Sequence, residues 1–267
     1  MSDTNTKQFA VVTGASSGIG RELAKQFARH DFDLLITATG PDIAEAAREI
    51  EGLGARVETA TADLATYDGV ESLYRAIEAA GRPVDAIALN AGVGAGGDFT
   101  KQTDLQDELN VIALNVAGTV HLAKRVLPDM VARGAGKVLF TSSIAALMPG
   151  AFAAVYNGSK AFVQSFAEAL RDELKDTGVT VTALQPGPTD TNFFAQADME
   201  DTKVAQSEKD DPAEVAKQGF EALMAGKDHV IAGSLKTKVM GNVAKVLPDT
   251  VVAAQHRGMA EPGSGKR

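Results

Sequence analysis

The chain has no cysteine, and that absence alone removes disulfides, thiolate nucleophiles and every cysteine-based metal site. Histidine is scarce as well. His30, His121, His229 and His256 are scattered, without the close spacing of a zinc cluster, so no metal site is expected. Basic residues are outnumbered: 26 Lys and Arg stand against 35 Asp and Glu, a net charge of −9, the wrong sign for gripping nucleic-acid phosphates. No run approaches the roughly 20 apolar residues of a membrane span. Residues 1–8 form a polar tail lacking the apolar core of a signal peptide. A cytoplasmic location is the expectation, and the sequon Asn157-Gly158-Ser159 should then stay unmodified.

What is present is ordinary for a globular protein: 45% apolar and 23% charged residues over 267 positions, enough for one large α/β domain. Apolar runs at 9–13, 33–37, 56–61, 84–90, 137–142, 179–185 and 229–232 read as strands. They are continuous rather than alternating, as suits strands covered on both faces. Helical patterns fall near 18–30, 41–53, 67–80, 103–132, 152–177 and 212–225. The alternation predicts a single doubly wound Rossmann-type α/β domain over 9–256, with a seven-stranded, mostly or wholly parallel sheet flanked by helices. Leu105, Leu109, Ile112, Val116, Val120, Ala123, Leu127 and Met130 form one apolar stripe, and Phe162, Phe166, Leu170 and Leu174 another, with Gly178 placed as a C′ residue. The polar stretch 196–211, within a lid spanning 188–211, and the tail 257–267 are expected to be mobile.

The first strand runs into Thr13-Gly14-Ala15-Ser16-Ser17-Gly18-Ile19-Gly20 and then a helix. Glycines let backbone approach a phosphate, and the helix start offers free N–H groups. The same residues also read as G-x-S-x-G, a hydrolase nucleophile elbow centred on Ser16. Its acid and base would be Asp190 with His229 or His256, although no catalytic loop surrounds either histidine, and elbows seldom open a sheet.

Tyr156 and Lys160, four apart on a predicted helix, share a face. A free phenol titrates near ~10; a neighbouring ammonium would lower that and make the tyrosine a usable acid/base. The pair follows a strand ending in Ser142-Ser143, at the carboxyl end of the sheet where doubly wound folds bind ligands.

With these motifs in order, the chain resembles the short-chain dehydrogenase/reductase family over roughly residues 9–232. The family's cofactor turn matches Gly14, Ser16, Ser17, Gly18, Ile19 and Gly20, its acid after the third strand matches Asp63 beside Leu64, and its Asn-Ala-Gly motif matches Asn90, Ala91 and Gly92. Pro186, Gly187, Thr189 and Thr191 match its late cofactor loop, and Thr39 the end of its second strand. Its catalytic set matches Asn115, Ser143, Tyr156 and Lys160.

The resemblance implies an NAD(P)-dependent oxidoreductase that interconverts a carbonyl and an alcohol. Tyr156 would move the proton, Ser143 hold the substrate oxygen, Lys160 bind the nicotinamide ribose and lower the tyrosine pKa, and Asn115 keep its helix open and support a water relay. A cofactor-binding sensor or scaffold without turnover is the alternative, and the intact tetrad argues against it. NADP(H) is favoured over NAD(H), because Thr37-Ala38-Thr39 ends the second strand without the acid that repels a 2′-phosphate. Hydroxyls of Thr37, Thr39 and Ser16, with Arg21 nearby, are the expected phosphate contacts. Ile144, Leu147, Met148, Phe99, Phe193 and Phe194, from segments 94–99, 143–149 and the loop after Pro186, suggest an apolar small-molecule pocket. A homodimer or homotetramer, paired through the two long helices, is expected as well.

Overall fold

The computed structural model describes residues 7–244 and 246–266; most of the polar amino-terminal tail and Arg267 lie outside them. Seven strands form: β1 Gln8–Thr13, β2 Phe32–Ala38, β3 Val57–Thr61, β4 Ala86–Leu89, β5 Gly136–Thr141, β6 Val179–Pro186 and β7 His229–Ala232. They pair in parallel throughout, in the order β3-β2-β1-β4-β5-β6-β7. The chain winds outward from β1 to β3 and then returns to lay β4 on the other side of β1. A crevice opens at such a switch point, outside the carboxyl ends of the strands.

Helices α1 Gly18–Arg29 and α2 Ile43–Glu51 cover one face, with a later helix, Pro212–Met224, beside α1. The opposite face carries α3 Tyr67–Ala79, α4 Leu105–Ile112, a π-helical stretch Ala113–Gly118, α5 Thr119–Arg133 and α6 Ala154–Glu173. Strand β1 shows why its residues read as a continuous apolar run. Ala10 and Val12 enter the first core, where Phe27 meets Phe32 and Phe220 edge-on with centroids 5.1 Å apart; Phe9 and Val11 enter the second, with Leu122, Met130 and Phe140. Each of these fully buried phenylalanines contributes about 1.5–3 kcal/mol of apolar transfer.

The long apolar stripe does not survive intact. Leu105, Leu109 and Ile112 are exposed while Val111 and Leu122 are buried, because the π-helical stretch turns the helix face between α4 and α5. Phe162 likewise faces outward, and Val163 and Ala167 point into the core. Helix α6 ends at Glu173, so Gly178 (φ 80°) is not its C′ residue. It lies in the turn to β6, where a Cβ would meet the Gly134 carbonyl oxygen at 2.1 Å.

Segment 188–211 and the tail carry more structure than their polarity suggests. After β6 come α7 Phe193–Gln196, α8 Lys203–Gln206 and α9, the Pro212–Met224 helix, capped by the Asp211 carboxylate and opened by proline. After β7 come two helices the sequence pattern did not predict, α10 Leu235–Ala244 and α11 Asp249–Ala260. Phe194, Ala197, Met199 and Ala205 pack with Ala260 into a third, small core. The final 3-10 turn, Ser264–Lys266, is tied to this segment: Lys203 N donates to Ser264 Oγ (2.9 Å) and Gly265 N to the Asp201 carbonyl (3.0 Å).

Candidate active site

The turn between β1 and α1 is built so that little but backbone lies against the crevice. Gly14 and Gly18 hold φ of 66° and 53°, and a Cβ on Gly20 would sit 2.2 Å from the Gly14 carbonyl oxygen. Ser17 caps α1 without a side-chain hydrogen bond, and no acid lies in the first turn. Its N–H groups are therefore available to an anion such as a pyrophosphate. Thr13 Oγ1 accepts from the backbone N–H groups of Asn90 and Ala91, both at 2.9 Å, and Thr141 Oγ1 donates to Asn90 Oδ1 at 3.1 Å. The carboxyl ends of β1, β4 and β5 are thus fixed to one another. Asp63 folds back on its own turn by accepting from Ala65 N (3.0 Å), at the same rim.

Every residue matched to the cofactor motifs, from Gly14 to Thr191, lines one cleft of about 1230 Å³, and so do Ser143, Tyr156 and Lys160. Asn115 lies behind its wall, buried. In the π-helical stretch the asparagine accepts from Val93 N (2.9 Å) and donates to the Val93 carbonyl (2.9 Å) and Ser159 Oγ (3.0 Å). Ser159 in turn donates to the Tyr156 carbonyl at 2.7 Å. One asparagine therefore couples the loop after β4 to the helix turn that carries the tyrosine. Gly92 lies between Asn115 Oδ1 and Lys160 Nζ, which would be 3.1 and 3.2 Å from a Cβ added there.

Lys160 Nζ donates to the Thr141 carbonyl at 2.9 Å and lies 5.9 Å from the Tyr156 ring centre. Ser143 Oγ accepts from Ala145 N (3.1 Å) and donates to the Pro186 carbonyl (3.3 Å). The electrostatics differ from the sequence expectation. Burial pushes the Tyr156 phenol up to about 12, the nearby Ser143 hydroxyl opposing that rise in part and Lys160 adding nothing to the opposition. Burial also pulls the Lys160 ammonium down to about 8. A phenol held protonated in the cleft is a donor to an oxygen that gains negative charge.

This constellation has relatives. A family model described as short chain dehydrogenase matches residues 8–202. The chain belongs to the short-chain dehydrogenase/reductase family. An uncharacterised oxidoreductase of Myxococcus xanthus is 33% identical over 256 residues, covering 93% of this chain and 96% of that one. Sulfoacetaldehyde reductase 2 of Chromohalobacter salexigens is 35% identical over 185 residues, 68% of this chain and 73% of that protein. A short-chain dehydrogenase from Sphingobium yanoikuyae, solved in complex with NADPH, superposes with a TM-score of 0.77 at 27% identity, covering 84% of this chain and 87% of the other. The chain is accordingly an oxidoreductase of this family.

Family membership removes the hydrolase reading; of its partners His256 lines the cleft, with Nδ1 on the Ala151 carbonyl at 3.0 Å, whereas Asp190 does not line it. His229 opens β7 at the amino end of the sheet, whereas Ser16 follows the carboxyl end of β1. Asp190 pairs with Lys209 at 4.0 Å. Two other expectations fail on geometry. Arg21 is held by Glu45 (3.1 Å) and Glu49 (2.6 Å) on the outer side of α1 and α2 and does not line the cleft. Segment 94–99 and Leu147 do not line it either: Gly94 and Gly96 pack behind Phe193 and Met199, and Phe99 is exposed.

Several cleft residues were not recognised in the sequence. Met240, Val243, Val252 and Met259 of α10 and α11 complete its apolar side together with Ile144, Met148, Phe193 and Phe194. Asn157, read only as a sequon, is buried and donates to the carbonyls of Ala145 and Met148, both at 3.1 Å. It fixes the loop after β5, and its side chain is inaccessible to a glycan. Asparagine in the turn between Tyr156 and Lys160 was the available signal.

Proposed function

We propose that this oxidoreductase interconverts a ketone or aldehyde and its alcohol, with Tyr156 holding the transferable proton at the substrate oxygen. The observation that carries this reading is the convergence of Ser143, Tyr156 and Lys160 on one cleft beside the glycine turn. A nicotinamide cofactor, when bound, supplies or accepts the hydride. The backbone of Gly14 to Gly20 would hold its phosphates, Asp63 and Leu64 its adenine side, and Asn90 to Gly92 with Lys160 its nicotinamide ribose. Ser143 turns its hydroxyl from the Pro186 carbonyl to the substrate oxygen, which Tyr156 meets from the next position. Lys160 supports the charge that appears on the phenol oxygen, and Asn115 positions both through Ser159. The apolar side of the cleft favours a substrate with apolar substituents at the carbonyl, in a cytoplasmic setting where nicotinamide nucleotides are abundant. A panel of ketones and alcohols assayed with both cofactors tests the reading.

NADP(H) is the preferred cofactor in this account. Strand β2 ends without an acid, and Thr37, Ala38 and Thr39 all line the cleft. The Thr39 hydroxyl, exposed just beyond the end of the strand, is the neutral donor best placed for a 2′-phosphate. The NADPH-bound Sphingobium relative supports the same choice. With Arg21 committed to carboxylates, only neutral donors remain, and the preference should be modest. Ala38→Asp places a carboxylate beside the 2′-phosphate and should shift kcat/KM towards NAD(H) by tenfold or more; a wild-type enzyme at least tenfold better with NAD(H) would refute the assignment.

We further propose self-association through α4 and α6. Leu105, Leu109, Ile112 and Phe162 expose large apolar side chains there, a feature that marks an interaction site. Sedimentation should give a dimer or tetramer at micromolar concentration, weakened by Leu109→Glu, whereas a strict monomer would contradict it.

A further inference from the structure

Of the thirteen large apolar side chains that are exposed among the described residues, six lie between 235 and 251. Helix α10 is apolar on two opposite faces. Its inner face is Thr237, Gly241 and Ala244, all buried, with Gly241 so close to Ile144 and Ile231 that a Cβ would lie 3.3 and 3.0 Å from them. Its outer face carries Leu235, Val239 and Val243, which are 77%, 54% and 43% exposed and stack at steps of four. Asn242 is the polar residue on that side, and its amide is turned back onto the Lys238 carbonyl at 2.8 Å. Val246, 79% exposed, continues the patch beyond the helix end. A cluster of exposed apolar side chains of this kind marks an interaction surface.

The sequence of α10 and the turn after it carries charge opposite to that of the chain; the acids nearby are Asp210, held on the inner face by Ser234 and Thr237, and Asp249, at the start of α11. From Gly233 to Pro248 the sequence has Lys236, Lys238 and Lys245 and no acid, in a protein of net charge −9. At about 100° per residue, Lys236 and Lys238 fall on opposite flanks of the Leu235-Val239-Val243 stripe. An apolar stripe bordered by lysines is the pattern of a helix lying in the headgroup region of an anionic bilayer. A second copy of the chain fits less well, since two-fold pairing of this face would set lysines against lysines. Met240 and Val243 also belong to the wall of the cleft, so the patch is continuous with its mouth.

We propose that the outer face of α10 docks on an anionic lipid surface and that the cleft opens there towards apolar substrates dissolved in the bilayer. The docking half is independent of the proposed reaction; the substrate half rests on it. Screening over about 8 Å at physiological salt leaves the local lysines, rather than the distant excess of acids, to decide adsorption.

Flotation of the full chain with vesicles tests docking without any turnover. Vesicles of phosphatidylcholine with one quarter phosphatidylglycerol should carry at least tenfold more protein than pure phosphatidylcholine vesicles. Val239→Glu with Val243→Glu should abolish flotation, and Lys236→Glu with Lys238→Glu should remove the anionic preference, lowering binding on the order of tenfold. Circular dichroism and melting temperature show whether each variant is folded, and Leu235→Glu, at the exposed first position of the helix, serves as a second probe if the double variant is not. Absent flotation, flotation indifferent to lipid charge, or flotation untouched by these substitutions would overturn the proposal. A dimer that Val239→Glu dissociates would overturn it in favour of a second copy.

Discussion

Tyr156→Phe is expected to lower kcat by roughly 10²–10⁴-fold, the usual contribution of a positioned general acid or base, with cofactor affinity changed no more than a few-fold. The substitution deletes one oxygen and leaves the ring, whose centre lies 5.0 Å from that of Phe193, packed as before. It also leaves Ser159 bonded to the residue-156 carbonyl, so the turn held by Asn115 is intact. What disappears is the only proton donor that this account places at the substrate oxygen. Ser143 remains to hold that oxygen but has no proton relay behind it, its hydroxyl being turned to the Pro186 carbonyl. Steady-state rates and a cofactor titration of the variant check both halves. Near-wild-type turnover would refute the mechanism.

Lys160→Met should lower kcat/KM by about 10²-fold or more and, at the same time, raise the melting temperature. The ammonium is buried and no carboxylate pairs with it among the described residues; its partner is the neutral Thr141 carbonyl. Burial lowers its pKa from 10.5 to about 8. The folded protein therefore binds this proton less tightly than the unfolded chain does. Below about pH 8 the fold carries the full cost of the buried charge, and that cost fades as pH rises from about 8 towards 10.5, so this group makes stability increase with pH across that window. The gap corresponds to about 3 kcal/mol at roughly 1.4 kcal/mol per pH unit. Leaving the Thr141 carbonyl without its donor returns about 1–3 kcal/mol of that. A net gain near 1 kcal/mol should raise the melting temperature by a few degrees at neutral pH, and the variant should lose the wild-type rise in stability above pH 8. A variant that melts lower than wild type at pH 7 would show that the lysine is not an uncompensated buried charge.

The sheet was legible because strands covered by helices read as short, mostly apolar runs, and all seven runs became strands within two residues at each end. The site was legible for a different reason. Tyr156 and Lys160 are four apart on a helix, and Ser143 follows a strand, so local spacing alone brings them to the same edge. Local spacing could not give the rest. The π-helical stretch around Asn115 has the composition of an ordinary helix, and only its contacts with Val93 and Ser159 explain why the apolar stripe breaks there. Helices α10 and α11 were missed because their apolar residues face both inward and outward, which blurs the helical period. The tyrosine's electrostatics were not legible because proximity in sequence says nothing of burial, and burial is what raises the phenol here, with Ser143 rather than Lys160 opposing it.

The central claim is hydride transfer between a nicotinamide and a carbonyl carbon within this cleft. NADPH carrying deuterium at both positions of the ring carbon that donates the hydride should be incubated with the wild-type enzyme and a panel of apolar ketones, and the alcohols analysed by mass spectrometry. The account predicts an alcohol product carrying one deuterium on the carbinol carbon, formed by wild type and not by Tyr156→Phe. Alcohol without the label, or no ketone consumed with either NADPH or NADH, would contradict it.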